Sequence, residues 1–295
     1  MANNSINQII VCGAGTMGSG IAQLAATAGF KVIQFDLSRE MLEKSAKSIE
    51  LSLQKFLAKG KLNEDEFNNI IANITYTTQP DACKGDLIIE AIVEKKEAKI
   101  GLFNQLFALN GPDLIVATNT SSISIDAIAS SIDFPAQLVG LHFFNPAPLM
   151  KLVEIIKGKA TNPNIIQKMV DLALLMQKTP VICKDAPGFI VNRVARPYYL
   201  EAMYMVQKGI ITIEQADAVL EAAGFKMGPF KLMDLIGLDI NYSVSSIVWE
   251  DLGKPERLKP SEIQKAQIDQ GALGIKTKKG FYQYLSSSNK CNFLL

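Results

Sequence analysis

Residues 8–36 read QIIVCGAGTMGSGIAQLAATAGFKVIQFD. An apolar run, Ile9 to Cys12, leads into glycines at 13, 15 and 18 that fit G-x-G-x-x-G. A helix-like segment follows to Ala28, Gly29 stops it, and a second apolar run, Val32 to Phe35, ends on Asp36. The pattern predicts a strand, a tight turn, a helix and a second strand. In that arrangement Gly13 permits the turn, Gly15 lets the backbone approach a pyrophosphate, and Gly18 lets the helix pack closely on the strand. The helix N-terminus, at Thr16 and Met17, then offers N–H groups and a partial positive charge to phosphates. Asp36 is placed to accept hydrogen bonds from both hydroxyls of a ribose. It would repel a 2′-phosphate, so NAD is expected rather than NADP, with Arg39 working against that preference. A bare glycine motif can also be a loop of no function. The strand before it, the helix after it and the acid at the right distance favour a dinucleotide site.

The bulk composition sets limits on the rest. The chain has 295 residues, 48% of them hydrophobic and 20% charged, enough apolar material for a large core. A net charge of +1 gives no overall attraction to nucleic acid or membrane, and neither is expected as a partner. The opening MANNSINQ lacks a basic region leading into an apolar run, so no signal peptide is read. No apolar stretch approaches the roughly 18 residues of a membrane span. Cys12, Cys83, Cys183 and Cys291 are scattered without C-x-x-C spacing. Free or buried thiols in a reducing cytoplasm are expected, with no metal site.

From Ser38 to Gly60 the apolar residues Leu42, Ala46, Ile49, Leu53 and Phe56 form a one-sided helical stripe. Ser38 is the predicted N-cap and Gly60 the stop. A shorter helix, Glu64 to Ala72, is capped by Asn63, so a helical hairpin stands where a βαβ unit needs one helix. Strands are predicted at 74–78, 87–93 and 114–118, with a helix at 95–109 joining the last two. A helix at about 123–132 leads to a strand at 138–144. Extended segments at 151–156 and 179–184 flank a helix at 164–177. The alternation predicts an α/β fold: a Rossmann-type, doubly wound, mostly parallel sheet with a helical hairpin insertion. After Pro187-Gly188 the pattern becomes helical throughout, with helices predicted at 189–208, 212–223 and 232–249. The expected organisation is an NAD-binding domain, residues 1–186, and an all-helical C-terminal domain, residues 187–295.

His142 is the one histidine in the chain. It ends a predicted strand, in LHFFNP, and ligands of open α/β sheets bind beyond the carboxyl ends of strands. Glu154, in KLVEII, lies among apolar neighbours that should bury it, and a buried carboxylate needs a partner. An imidazole suits: the carboxylate fixes its tautomer and stabilises the cation formed when it takes a proton. The pattern equally allows a core histidine and an edge-strand glutamate. Asn119-Thr120-Ser121-Ser122 closes a strand and opens a helix, where helix capping alone explains a serine. Asn192 lies one turn into the first C-terminal helix. Lys55 and Lys59 share a helix face that could hold a phosphorylated tail, but Glu40, Glu43 and Glu50 lie on the same helix, and a solvated face is the simpler reading.

The segments GAGTMGSGIAQ, EAIVE, TNTSS, HFFNP, KLVEII, DAPGFIVNR and MGPFKLMDLIGLD, in this order, closely resemble the L-3-hydroxyacyl-CoA dehydrogenase family, from Ile9 to Tyr284. The resemblance implies NAD-dependent, reversible oxidation of an (S)-3-hydroxyacyl-CoA, with a short acyl chain such as 3-hydroxybutanoyl. It implies His142 as general base, Glu154 as its orienting partner, Ser121 on the substrate oxygen and Asn192 near the thioester. It places Glu94, Lys99, Asn119, Ser121 and Asn145 beside the cofactor, and it brings Lys55 and Lys59 to the CoA phosphates. A helical C-terminal domain that builds a homodimer and closes over the acyl chain is also implied. The stretch after Tyr284 matches no motif and is read as a tail. Two rival functions share the fold: an NAD-dependent sugar-acid dehydrogenase and a non-catalytic NAD-binding protein.

Overall fold

A computed structural model describes residues 6–284, so Cys291 and the predicted tail lie outside the described residues. The chain divides into two compact units, one ending at Ala186 and the other beginning at Pro187.

The first unit opens with β1 (Gln8–Cys12), α1 (Thr16–Thr27) and β2 (Lys31–Phe35). Gly29, at φ +91°, ends the first helix in a conformation that strains any other residue. Next come α2 (Arg39–Ala58), α3 (Glu64–Ala72) and β3 (Ile74–Thr77). Ser38 caps α2 by accepting from the Met41 amide at 3.3 Å. Asn63 and Glu66 form a reciprocal capping box on α3. β4 (Leu87–Glu90), α4 (Lys96–Asn110), β5 (Ile115–Thr118), α5 (Ile125–Ala129) and β6 (Leu138–Phe143) complete the alternation. β7 (Leu152–Lys157), α6 (Pro163–Leu175) and β8 (Thr179–Lys184) extend the sheet.

The eight strands lie in the order β3-β2-β1-β4-β5-β6-β7-β8. Every pair is parallel except β6 with β7. The connections reverse direction between β1 and β4, and the glycine loop after β1 opens at that switch point, where such sheets take their ligands. β4, β5 and β6 are buried along their whole length, the mark of a parallel sheet covered on both faces. Ile9, Val11, Leu87, Ile89, Ala117, Val139, Leu141, Val153 and Ile155 form the middle of this core.

Two predicted elements are shorter than expected. β4 stops at Glu90 rather than running to Val93, because the Ile92 amide turns back to donate to the Glu90 carboxylate at 2.7 Å. α5 begins at Ile125, where Ser124 accepts from the Ala127 amide, and spans five residues.

A Cβ placed on Gly18 would land on the carbonyl oxygen of Gly13. Backbone cannot step aside as a flexible side chain can. Gly18→Ala is therefore expected to cost about 1–3 kcal/mol of stability, as overpacking does. A denaturant melt checks this; a wild-type midpoint would refute the close approach.

The second unit contains α7 (Val191–Val194), α8 (Arg196–Gln207), α9 (Ile213–Ala222), α10 (Pro229–Ile236), α11 (Leu238–Asp251) and α12 (Glu262–Asp269). Two of the three long predicted helices are broken. Residues 189–208 split at Ala195, since Pro197 supplies no amide to the carbonyl four residues back. Residues 232–249 split at Gly237, which sits at φ +102°. α12 was not anticipated. Tyr199, Met203, Phe230, Met233, Leu238 and Val248 form this unit's core. Asp217 accepts from the Phe230 and Lys231 amides and the Tyr282 hydroxyl, tying α9 to the start of α10.

Candidate active site

The glycine loop is shaped for an anion. α1 is capped by Gly15 without a side-chain hydrogen bond, and its first turn carries no acid. Its leading N–H groups therefore keep their capacity to bind phosphate. Nothing lies within 4 Å of a Cβ built on Gly15, whereas one on Gly13 would strike the Ala91 carbonyl. The loop is closed beneath and open above. Thr16 is exposed and Met17 half-buried at the helix start.

Asp36 fixes the loop as well as ending β2. One carboxylate oxygen accepts from the Ala14 amide and the other from the Ser38 amide, both at 2.8 Å. The carboxylate is thus oriented before a ribose arrives. Arg39, the residue set against an NAD preference, leans to Glu43 at 3.5 Å on the exposed face of α2. These features fit an NAD molecule with its pyrophosphate on α1 and its adenosine ribose on Asp36.

Beyond the carboxyl ends of β4 and β5 lies a polar network that the sequence reading saw only in part. The Lys99 ammonium, 1% exposed, meets Glu90 at 2.7 Å and Glu94 at 3.1 Å. Glu90, fully buried, also accepts from the Thr118 hydroxyl at 2.7 Å. Glu94 accepts from the Thr120 hydroxyl at 2.5 Å, the Ser121 amide at 3.1 Å and the Ser122 hydroxyl at 3.2 Å. Burial works to raise the Glu94 carboxyl. The Lys99 charge and the bonds from Thr120, Lys99 and Ser121 outweigh it, holding the group below the usual carboxylate range. Lys99, expected beside the cofactor, is buried between Glu90 and the partly exposed Glu94. Glu90 was the overlooked member; its signal was an acid closing an apolar strand, nine residues before a lysine.

His142 and Glu154 face each other across the antiparallel β6–β7 pair. Imidazole Nδ1 lies 2.7 Å from a Glu154 carboxylate oxygen, with His142 6% exposed and Glu154 fully buried. A carboxylate only accepts, so Nδ1 carries a proton, and in the neutral ring the lone pair is then on Nε2. The Phe144 ring lies 4.6 Å from the imidazole, centroid to centroid. Asn119 accepts from the Phe143 amide at 2.8 Å through its side-chain oxygen, fixing the end of β6 beside the histidine. Asn145 follows on the exposed connection to β7.

Lys55 and Lys59 are exposed in the last turns of α2. The acids at the start of that helix are taken, Glu43 by Arg39 and Glu40 by Lys44 at 2.6 Å. Neither Lys55 nor Lys59 makes an ion pair among the described residues. In the second unit, Asn192 is the second residue of α7, and its carbonyl accepts from the buried Arg196 guanidinium at 2.8 Å. Burial pushes the Cys183 thiol up to about 12, helped by the Glu154 and Asp185 charges. The described residues contain no cluster of three metal-ligating side chains and no helix long and apolar enough to cross a membrane.

This geometry can be set beside known proteins. The 3-hydroxyacyl-CoA dehydrogenase NAD-binding domain matches residues 8–186, and the C-terminal domain of the same family matches residues 188–284. The chain belongs to the 3-hydroxyacyl-CoA dehydrogenase family. The family is one of dehydrogenases whose first domain binds NAD. The chain is 42% identical over 282 residues to an Escherichia coli K12 protein named "3-hydroxyadipyl-CoA dehydrogenase", covering 95% of this chain and 59% of that one. It is 40% identical to a Deinococcus radiodurans protein named "Probable 3-hydroxybutyryl-CoA dehydrogenase", covering 93% of this chain and 99% of that one. A crystal structure of 3-hydroxybutyryl-CoA dehydrogenase from Escherichia coli K12 superposes with a TM-score of 0.93 at 41% identity, over 97% of this chain and 61% of that chain. Against both Escherichia coli proteins, then, this family member spans about three-fifths of the partner's length.

Proposed function

We propose that this chain oxidises the 3-hydroxyl of an (S)-3-hydroxyacyl-CoA to the 3-oxo thioester, reversibly, and that short acyl chains such as 3-hydroxybutanoyl are its substrates. The observation that carries this reading is the 2.7 Å contact between His142 Nδ1 and the buried Glu154 carboxylate. It leaves Nε2 as the basic atom at the carboxyl end of β6. NAD supplies the hydride acceptor. The chain supplies the base: Nε2 takes the hydroxyl proton as the C3–H bond gives up its hydride, and Glu154 stabilises the imidazolium that results. In the opposite direction the imidazolium protonates the forming alkoxide.

Ser121, held through its amide by Glu94, hydrogen-bonds the substrate oxygen. Asn192 holds the acyl group near the thioester. Gly13, Gly15, Thr16, Met17, Gly18 and Asp36 bind the pyrophosphate and ribose, while Glu94, Asn119 and Asn145 line the nicotinamide end. Residues 1–186 are the NAD-binding domain. Residues 187–295 form the substrate-binding domain and the interface of a homodimer in the cytoplasm.

Loss of NADH absorbance with acetoacetyl-CoA tests the reading, with free acetoacetate and NADPH run in parallel. Rapid oxidation of NADH with the thioester alone is expected; equal rates with free acetoacetate would refute a CoA-linked substrate. The unpaired lysines of α2 give a narrower test. Exposed charges contribute modestly, so Lys55→Ala with Lys59→Ala is expected to raise KM for acetoacetyl-CoA by about 3- to 10-fold with kcat unchanged. A wild-type KM would remove these lysines from CoA binding.

A further inference from the structure

The connection between β6 and β7, residues 144–151, joins the strand of His142 to the strand of Glu154 and carries Asn145. Its own backbone bonds are few: the Leu149 and Met150 amides both donate to the Pro146 carbonyl at 3.0 Å. The carbonyls of Ala147, Pro148 and Met150 turn instead toward one side chain. Lys178, 6% exposed between α6 and β8, directs its ammonium at all three, at 2.7, 3.4 and 2.9 Å. It makes no ion pair among the described residues, so its charge is met by carbonyl dipoles. Burial pushes its pKa down to about 8, which still leaves it protonated at neutral pH. The same connection also rests on α1. A Cβ built on Gly20 would stand 3.2 Å from both the Ala147 Cβ and the Pro148 Cδ, so the second turn of the pyrophosphate helix and this loop are packed without slack.

We propose that Lys178 is a positioning residue for the reaction: by gathering the carbonyls of Ala147, Pro148 and Met150 it fixes the connection that places Asn145, seats that connection on α1, and holds the ends of β6 and β7 on which His142 and Glu154 stand. A lysine between a helix and an edge strand ordinarily points to water. Here the side chain turns inward and forgoes hydration, and three carbonyls satisfy its three donors. Without the ammonium those carbonyls repel one another and the loop moves away from α1. The nicotinamide end of the site is then misplaced relative to the imidazole, while the α2 lysines that meet CoA are untouched. A displacement of about 1 Å of a positioned group is enough to cost up to about 10²-fold in rate.

This inference rests on the dehydrogenase reading, and one experiment separates the two. Lys178→Met, which keeps the length and removes the donors, and Gly20→Ala, which presses a methyl group against Ala147 and Pro148, are compared with the unaltered protein. Gly20→Ala suits a helix and is expected to fold. NADH affinity is read by fluorescence, and kcat and KM are read with acetoacetyl-CoA. The expected result for Lys178→Met is about 10-fold or greater loss of kcat, NADH Kd raised about 3- to 10-fold, and KM for acetoacetyl-CoA within about twofold of the unaltered value. Gly20→Ala is expected to move kcat and Kd in the same direction by a smaller factor. Should Lys178→Met fail to fold, Gly20→Ala decides by the same two quantities. Unchanged kcat and NADH Kd in the folded variants would overturn the role of Lys178. An unaltered protein that binds NADH but does not reduce acetoacetyl-CoA would instead overturn the dehydrogenase reading, and the NADH Kd would still report on Lys178.

Discussion

His142→Ala is expected to lower turnover with acetoacetyl-CoA and NADH by about 10²- to 10⁴-fold, the usual worth of a positioned acid–base group. The reason is geometric. His142 is the chain's one histidine, and its Nδ1 is committed to Glu154 at 2.7 Å, so Nε2 is the imidazole atom able to exchange a proton with the substrate. NADH affinity should change little, because the cofactor contacts proposed for Asp36 and the first turn of α1 are unaltered. Glu154→Gln should also slow the enzyme. An amide can present its NH₂ to the imidazole, allow the wrong tautomer and leave the imidazolium without its counter-charge. Steady-state kinetics of both variants, with NADH titrated by fluorescence, checks the pair. Near-normal turnover in His142→Ala would remove the imidazole from the mechanism.

The second large effect is on stability. Lys99→Met leaves the Glu90 carboxylate buried with no cation, and breaking a buried pair from one side costs about 3–5 kcal/mol. For a domain of this size that corresponds to a fall in Tm of roughly 6–20 °C. Adding Glu90→Gln should recover much of the loss, since a neutral amide can still accept from the Ile92 amide through its oxygen, can donate its NH₂ to the Thr118 hydroxyl oxygen, and leaves no naked charge. Thermal and denaturant melts of the single and double variants make the comparison. A single variant within about 1 kcal/mol of the unaltered protein would contradict the burial of the pair. Lys99→Met also releases Glu94 from its cation, so the grip on the Ser121 amide weakens and activity should fall beyond what instability explains.

The α/β half of the fold was legible because its signals are local. The glycine spacing at 13, 15 and 18, the capping residues Ser38 and Asn63, and the apolar runs of β4, β5 and β6 each declare their element within a few residues. The helical half was less legible, because the breaks at Ala195 and Gly237 depend on a single proline and a single glycine inside otherwise periodic stretches. α12 carries too weak an apolar stripe to stand out. In the site, the burial of Glu154 could be inferred from KLVEII, but its alignment opposite His142 is a matter of strand register. Lys99 and Lys178 were opaque for one reason: a buried ammonium is recognised by its acceptors, and these come from strands and loops remote in sequence. The mixed charges along α2 suggested a solvated face, and Lys55 and Lys59 are exposed there, with no ion pair to either among the described residues.

The most direct test of the central claim is oxidation of the two enantiomers of 3-hydroxybutanoyl-CoA by NAD, followed as NADH appears. In the proposed site the hydroxyl is fixed at the imidazole, the C3–H is directed at the nicotinamide and the thioester arm is held separately, and three fixed points admit a single hand. The account predicts rapid NADH formation from the (S)-thioester, none above background from the (R)-thioester, and loss of the (S) rate in His142→Ala. Equal rates from both enantiomers, or an (S) rate that survives loss of the imidazole, would contradict it.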